Sequence, residues 1–133
     1  MTAPEARLRP HPIDRFAGDE HVLDIPAALR ALRSESRATT QGHRQITWMH
    51  KGPVRLVLFA FEAGGRIREH AANGWVTIHS LRGTVSVRTP DTLHVLTEGT
   101  LLSLAPQVSH DVEASEEADV LLGIYPESAA SEQ

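Results

Sequence analysis

Histidine is the residue through which this sequence could do chemistry. There are eight histidines and no cysteine in 133 residues. The absence of cysteine excludes a thiolate nucleophile, a disulfide framework and any Cys-ligated zinc or iron–sulfur site. A metal would have to be held by imidazole nitrogen or by oxygen. A neutral imidazole is also a general acid or base near physiological pH. The histidines are His11, His21, His43, His50, His70, His79, His94 and His110. Other chemistry has no motif here: there is no Gly-x-Ser-x-Gly elbow, no phosphate-cradling glycine loop and no His-Glu-x-x-His pair. A lone tyrosine, Tyr125, and scattered aromatics offer no stacking platform for single-stranded nucleic acid.

The elements that must position these side chains are mainly strands. Short apolar runs begin after Gln45: Ile46–His50, Val54–Phe61, Arg66–Glu69, Trp75–Leu81, Thr84–Arg88, Leu93–Leu96, Thr100–Leu104, Val108–Glu113 and Val120–Tyr125. Turn residues separate them, among them Gly64-Gly65, Asn73-Gly74, Gly83, Pro90, Gly99 and Pro106. Each supplies a positive or a fixed φ where the chain must reverse. Strands at this spacing predict an all-β sandwich or small barrel. Val54–Phe61 is apolar on both faces except at Arg55. One face should meet the barrel core, and the other a helix or a second subunit.

Upstream, Asp24-Ile25-Pro26 reads as a helix start. An aspartate can accept from free backbone N–H groups, and proline is tolerated in the first turn. Ala27 to Arg33 continues with good helix formers, with Ile25, Leu29 and Leu32 on one face. The expected organisation is an irregular arm and short helix over 1–44 packed on the barrel, a barrel over 45–126, and a frayed polar tail over 127–133.

Thirteen basic residues against seventeen acidic ones give a net charge of −4. That balance is not the footprint of a nucleic-acid or membrane-surface binder. No apolar run approaches the ~20 residues needed to cross a bilayer, and residues 1–7 show no secretory h-region. These features lead to the expectation of a cytoplasmic protein. Arg66, Arg68, Arg82 and Arg88 read as a solvated barrel face, with anion binding in the barrel mouth as the alternative, and Asp111, Glu113, Glu116, Glu117 and Asp119 as a solvated hairpin.

Two stretches resemble the paired motifs of the cupin superfamily. The first runs from Gly64-Gly65 through His70, Ala72 and Val76 to Gly83; the second runs from Gly99 through Pro106 to His110. The resemblance covers about residues 46–125. It implies a cupin-type double-stranded β-helix, a small jelly-roll-like barrel of the RmlC-like bacterial kind, with one N-terminal helix. Metal sites in that family resemble a cage of three histidines and one carboxylate. His70 matches the first histidine and His110 the last, whereas Ala72 and Val76 stand at the other two ligand positions. Gln107 replaces the usual turn glycine before the last histidine.

The resemblance therefore implies a barrel cavity in which His70 and His110 are catalytic residues, metal ligands or both. His79 is the candidate third ligand. It lies an odd number of positions from Val76, so it reaches the same cavity only if a bulge shifts the strand's parity. Val76, Ile78, Leu102 and Leu104 are expected cavity walls, with Trp75 in the core or at the mouth. His94 is expected on the rim or surface, and His50 in a supporting position at a strand end. His11, His21 and His43 fall outside the expected strands. The implied cofactor is one divalent transition metal (Zn, Fe, Ni, Mn or Cu) or none. The implied partners are a small organic molecule and a second copy in a homodimer, with neither nucleic acid nor membrane. Two functions follow: an enzyme such as a dioxygenase, isomerase, lyase or cyclase, or a non-catalytic ligand-binding or sensing cupin whose metal site has decayed.

Overall fold

The strand that is apolar on both faces sits between the two hydrophobic layers of the molecule. The computed structural model describes residues 20–36, 39, 41–51 and 54–126. The expected arm (apart from Glu20), the expected tail and His11 lie outside the described residues. Within them, helix α1 (Ile25–Arg33) precedes nine strands: β1 (His43–Lys51), β2 (Val54–Phe61), β3 (Arg66–His70), β4 (Gly74–Arg82), β5 (Val85–Arg88), β6 (Leu93–Leu96), β7 (Leu101–Leu104), β8 (His110–Ala114) and β9 (Ala118–Pro126). They form a five-stranded sheet in the order β1-β2-β9-β4-β7 and a four-stranded sheet in the order β3-β8-β5-β6. All pairings are antiparallel. Among the described residues, the all-β barrel with one helix read from the sequence is the architecture found.

Alternation on β2 divides its side chains between two cores. Val57, Phe59 and Phe61 point inward and pack with Val76, Ile78, Val112, Val120 and others between the sheets. Leu58 and Ala60 point outward and pack with Leu29 and Leu32 of α1, flanked by Ile46, Leu81 and Leu121. The outer face of β2 is thus covered by the chain's own helix.

The helix starts where the cap chemistry requires. The Asp24 carboxylate accepts from the Ala27 N–H at 3.0 Å, and Pro26 occupies the first turn, where a missing N–H costs nothing. Arg30 and Arg33 lie in the last turn, against the negative end of the helix dipole. Arg33 also fastens the helix to the sheet. Its Nη2 donates to the Ala118 carbonyl at 3.1 Å and to the Asp119 carboxylate, which is 5% exposed. Arg82 Nε donates to the other oxygen of Asp119 at 2.8 Å, and Glu117 bridges both guanidiniums. The buried carboxylate is satisfied on both oxygens, as burial of a charge demands.

The sheets meet along a seam that needs glycine. A Cβ on Gly65, just before β3, would lie 2.2 Å from the carbonyl oxygen of Gly42, just before β1. At that seam Arg66 N–H donates to Gln41 O at 2.9 Å, and Glu62 N–H to Gly42 O at 2.9 Å. His43, expected outside the strands, is the first residue of β1. It is buried against Phe59 and Phe61, and both of its ring nitrogens are bonded, to Arg66 O and to Gln45 Oε1. Its role is structural.

Truncating Leu32, which is 1% exposed, should leave the barrel folded but undermine α1. Leu32→Ala is expected to lower the free energy of unfolding by about 3 kcal/mol. Urea denaturation checks this, with the far-UV strand signal unchanged in the absence of urea.

Candidate functional site

The site forms where β3 and β8 run side by side at one end of the barrel. Ile67 and His70 are three positions apart, and on an unbroken strand they would face opposite ways. The register slips between them: Ile67 opposes Val112 while His70 opposes His110, so three steps on β3 answer two on β8. This bulge at Arg68-Glu69 returns His70 to the inner face. His110 needs no such device, since it alternates with the buried Val112 and Ala114. The two imidazoles meet with ring centroids 4.2 Å apart and planes inclined at 59°.

Both rings are held in the same way. His70 Nδ1 lies 3.0 Å from the Arg68 carbonyl, and His110 Nδ1 lies 3.0 Å from the Val108 carbonyl. A carbonyl can only accept, so Nδ1 carries the proton in each ring. In the neutral ring Nε2 then carries the lone pair. His110 is 1% exposed, and its Nε2 has no hydrogen-bond partner. Burial is the main influence lowering the His110 pKa from its ordinary value of 6.5. The backbone contact to Val108 opposes that shift, and the neighbouring His70 adds to it. The site therefore holds a neutral, buried, unpartnered nitrogen lone pair.

The loops that carry the pair are tied together at the mouth. Gln107 N–H donates to Ala72 O at 2.9 Å, and the Gln107 side-chain amide donates to Asn73 Oδ1. Gln107 takes φ of 71°, the left-handed conformation that favours glycine. The turn keeps its shape without glycine because these two bonds offset the strain. Beside the pair, Ser109 Oγ donates to Glu69.

The remaining expectations resolve by strand parity. On β4, Gly74, Val76, Ile78 and Ser80 are buried, and Trp75, Thr77, His79 and Leu81 face outward. The β4 register shifts only between Ser80 and Arg82, beyond His79. No bulge brings His79 inward; it lies on the outer face opposite Leu101 and Leu121. Trp75 is likewise outside, 46% exposed and opposite Tyr125, neither in the core nor at the cavity wall. Val76, Ile78 and Leu104 are in the inner core, with Leu102 half-buried against it. His94 corrects the expectation in the other direction. It opposes Val87 and shares the inner face with Val87 and Leu96. Alternation back from Leu96 would have found it, but Leu93 and Val95 are apolar on the opposite face, so the short run shows no alternation.

Among the described residues, no three His, Asp or Glu side chains come together to hold a metal ion. Of the four cage positions implied by the resemblance, His70 and His110 are present, and Ala72 and Val76 have no donor. The residues do not fit a three-histidine, one-carboxylate metal centre, since typical sites use three or four protein ligands.

No protein-family model matches the sequence, and no curated protein matches it. Solved structures do match. A cupin superfamily protein from Desulfitobacterium hafniense superposes with a TM-score of 0.67 at 16% identity, covering 92% of this chain and 100% of the other. An RmlC-like cupin from Shewanella frigidimarina gives 0.65 at 17% identity, covering 85% and 96%. One from Desulfovibrio desulfuricans gives 0.62 at 22%, covering 82% and 97%. The chain has the cupin fold. At such identities the likeness establishes the fold alone, and the chemistry of this cupin-fold chain rests on its own residues. No helix among the described residues is long and apolar enough to cross a membrane.

Two predictions test the geometry. Folding lowers the His110 pKa, so between that lowered value and 6.5 the unfolded chain binds more protons than the folded one. The stability contribution is complete above the ordinary value and is lost as pH falls through the lowered one. His110→Gln should flatten this part of the pH–stability curve, read from urea melts at a series of pH values. At the turn, Gln107→Gly should change stability by less than about 1 kcal/mol, because relief of left-handed strain offsets the lost amide bond. Gln107→Val should destabilise by about 2 kcal/mol or more, since a β-branched residue resists that φ.

Proposed function

We propose that this chain is a small-molecule enzyme in which His110 accepts a proton from the bound molecule and His70 is the second acid–base group. The observation that carries this reading is the lone pair on His110 Nε2: buried, without a partner, on a ring whose other nitrogen is tied to a carbonyl. A buried polar atom left unsatisfied costs about 1–3 kcal/mol, and a ligand that offers it a hydrogen removes that cost. The lowered pKa keeps the imidazole neutral, and hence able to act as a base, near pH 7.

The pair supports redox-neutral proton movement. His110 takes a hydrogen as a proton from one atom of the ligand, and the resulting imidazolium returns it to another atom or to a leaving group. His70, in ring contact at 4.2 Å, is placed to receive or supply the proton at a second position. Isomerisation and elimination belong to this class. The donor set among the described residues does not fit the metal cage, and the imidazole pair can move a proton by itself. The missing donors at Ala72 and Val76 also favour a second reading, a ligand-binding cupin without turnover, which shares the site but not the dependence of proton transfer on His110.

The test uses untagged protein purified without chelator. Elemental analysis is expected to find Zn, Fe, Ni, Mn and Cu well below one equivalent. Near-stoichiometric metal lost in both His70→Ala and His110→Ala would overturn direct histidine chemistry in favour of a metal site. In a screen of small acids and ketones in deuterium oxide, ligand-dependent proton exchange should fall by at least about 100-fold in His110→Ala. Ligand binding with no exchange in the parent protein would establish the binding-only reading.

A further inference from the structure

The inner face of the barrel is selective in its charge. The unbroken pairing of β2 with β9, from Phe61↔Ala118 to Arg55↔Ile124, puts Arg55 on the same face as Val57, Phe59 and Phe61. Arg55 is exposed where those three are buried, because it is at the open end of the strand. Ile124 opposes Val76 and Val76 opposes Leu104, so Arg55 stands in one row with Ile124, Val76 and Leu104. Residues 71–73 lead from His70 to the start of β4, and residues 105–109 lead from Leu104 to His110, so that row lies at the site's end of the barrel. No hydrogen bond or ion pair engages the Arg55 guanidinium among the described residues.

Among the strand positions whose side chains the structure describes, the inward titratable groups are Arg55, His43, His70, His94 and His110, with no Asp or Glu. The carboxylates of β3 and β8 (Glu69, Asp111 and Glu113) instead line an outer groove of about 330 Å³ with Arg66, Arg68 and Arg88. The chain as a whole has four more acidic than basic residues, so an interior without a carboxylate runs against its composition. Such a lining repels no anion, and its single unpaired guanidinium offers planar two-point recognition of a carboxylate.

We propose that the site takes a small organic monocarboxylate, its carboxylate held by Arg55 at the mouth and its apolar body running along Val76, Leu104 and Ile124 toward His110. This assignment rests on the barrel end being the functional site. It names Arg55 as the residue that selects anionic ligands and leaves proton transfer to the histidines. A molecule anchored in this way presents its far end to His110 Nε2, where a hydrogen-bearing group satisfies the orphaned lone pair.

Three probes with the same six-carbon body separate charge from hydrophobicity: hexanoate, 1-hexanol and hexylammonium. Each is titrated into the full-length protein while the His70 and His110 imidazole resonances are followed by NMR. Hexanoate should shift both saturably and bind at least about tenfold more tightly than hexanol, with hexylammonium weaker still. Arg55→Gln should abolish that preference while leaving hexanol binding and the thermal midpoint unchanged, and Arg55→Lys should recover part of it. No saturable hexanoate binding, or hexylammonium binding as tight as hexanoate, overturns the proposal. So does an unchanged preference in Arg55→Gln. The outcome is separable from that of the proton-transfer reading. Hexanoate that binds through Arg55 with no His110-dependent exchange refutes catalysis and keeps the anion site; exchange that ignores Arg55 does the reverse.

Discussion

Burial of β2 on both faces is the constraint on which the rest of the molecule depends. Its inward side chains fill the barrel and its outward ones hold α1, so a single eight-residue strand joins both hydrophobic clusters. A fully buried Leu or Phe side chain is worth about 1.5–3 kcal/mol, and β2 presents such residues to both sides. Register cannot slip here, because a one-residue shift would exchange the two sets between cores of different shape. The unbroken β2–β9 ladder then sets the register of β4, and through β4 that of β7. Arg55 owes its inward direction to the same ladder.

Against this rigid frame, the site is built where regularity gives way. The bulge on β3 breaks alternation and turns His70 inward, and the left-handed Gln107 bends the chain into β8 just ahead of His110. Both departures are local, and both are held by bonds to neighbouring backbone or to a side chain of the facing loop. Strain or irregularity beside a functional group is common because the group's direction has to be set against the regular pattern. Here it brings two imidazoles into contact and leaves one buried nitrogen without a partner.

Charge follows the same division between faces. The Arg33–Asp119–Arg82–Glu117 network lies on the outer surface of the large sheet, where it fastens the helix. The carboxylates of the small sheet also face outward. Among the described strand positions, the inner face carries apolar side chains, a few neutral polar ones such as Gln45 and Ser80, imidazoles and one guanidinium. That division is what the proposed anion site rests on, since a lining without carboxylates disfavours a bare cation.

Much of this was legible in the residues. Turn chemistry and apolar runs marked all nine strands, the Asp24 cap marked the helix, and the resemblance to the cupin motifs pointed to His70 and His110. The double-sided apolar pattern of Val54–Phe61 implied a cover, because a sheet face made of Leu and Ala has to be shielded from water. What the residues could not settle was direction. The directions of His79 and Trp75 are not fixed by sequence, because a strand's parity is known only once its bulges are located, and bulges depend on the partner strand. His70 faces inward only because β3 slips against β8, a relation between residues far apart in the chain, Ile67 with Val112 and His70 with His110. His94 faces inward for a reason of the same kind, its pairing with Val87. Composition and spacing determined which groups the chain owns and which strands carry them. Tertiary pairing alone decided which groups face the same space, because a strand's two faces differ only by what packs against them.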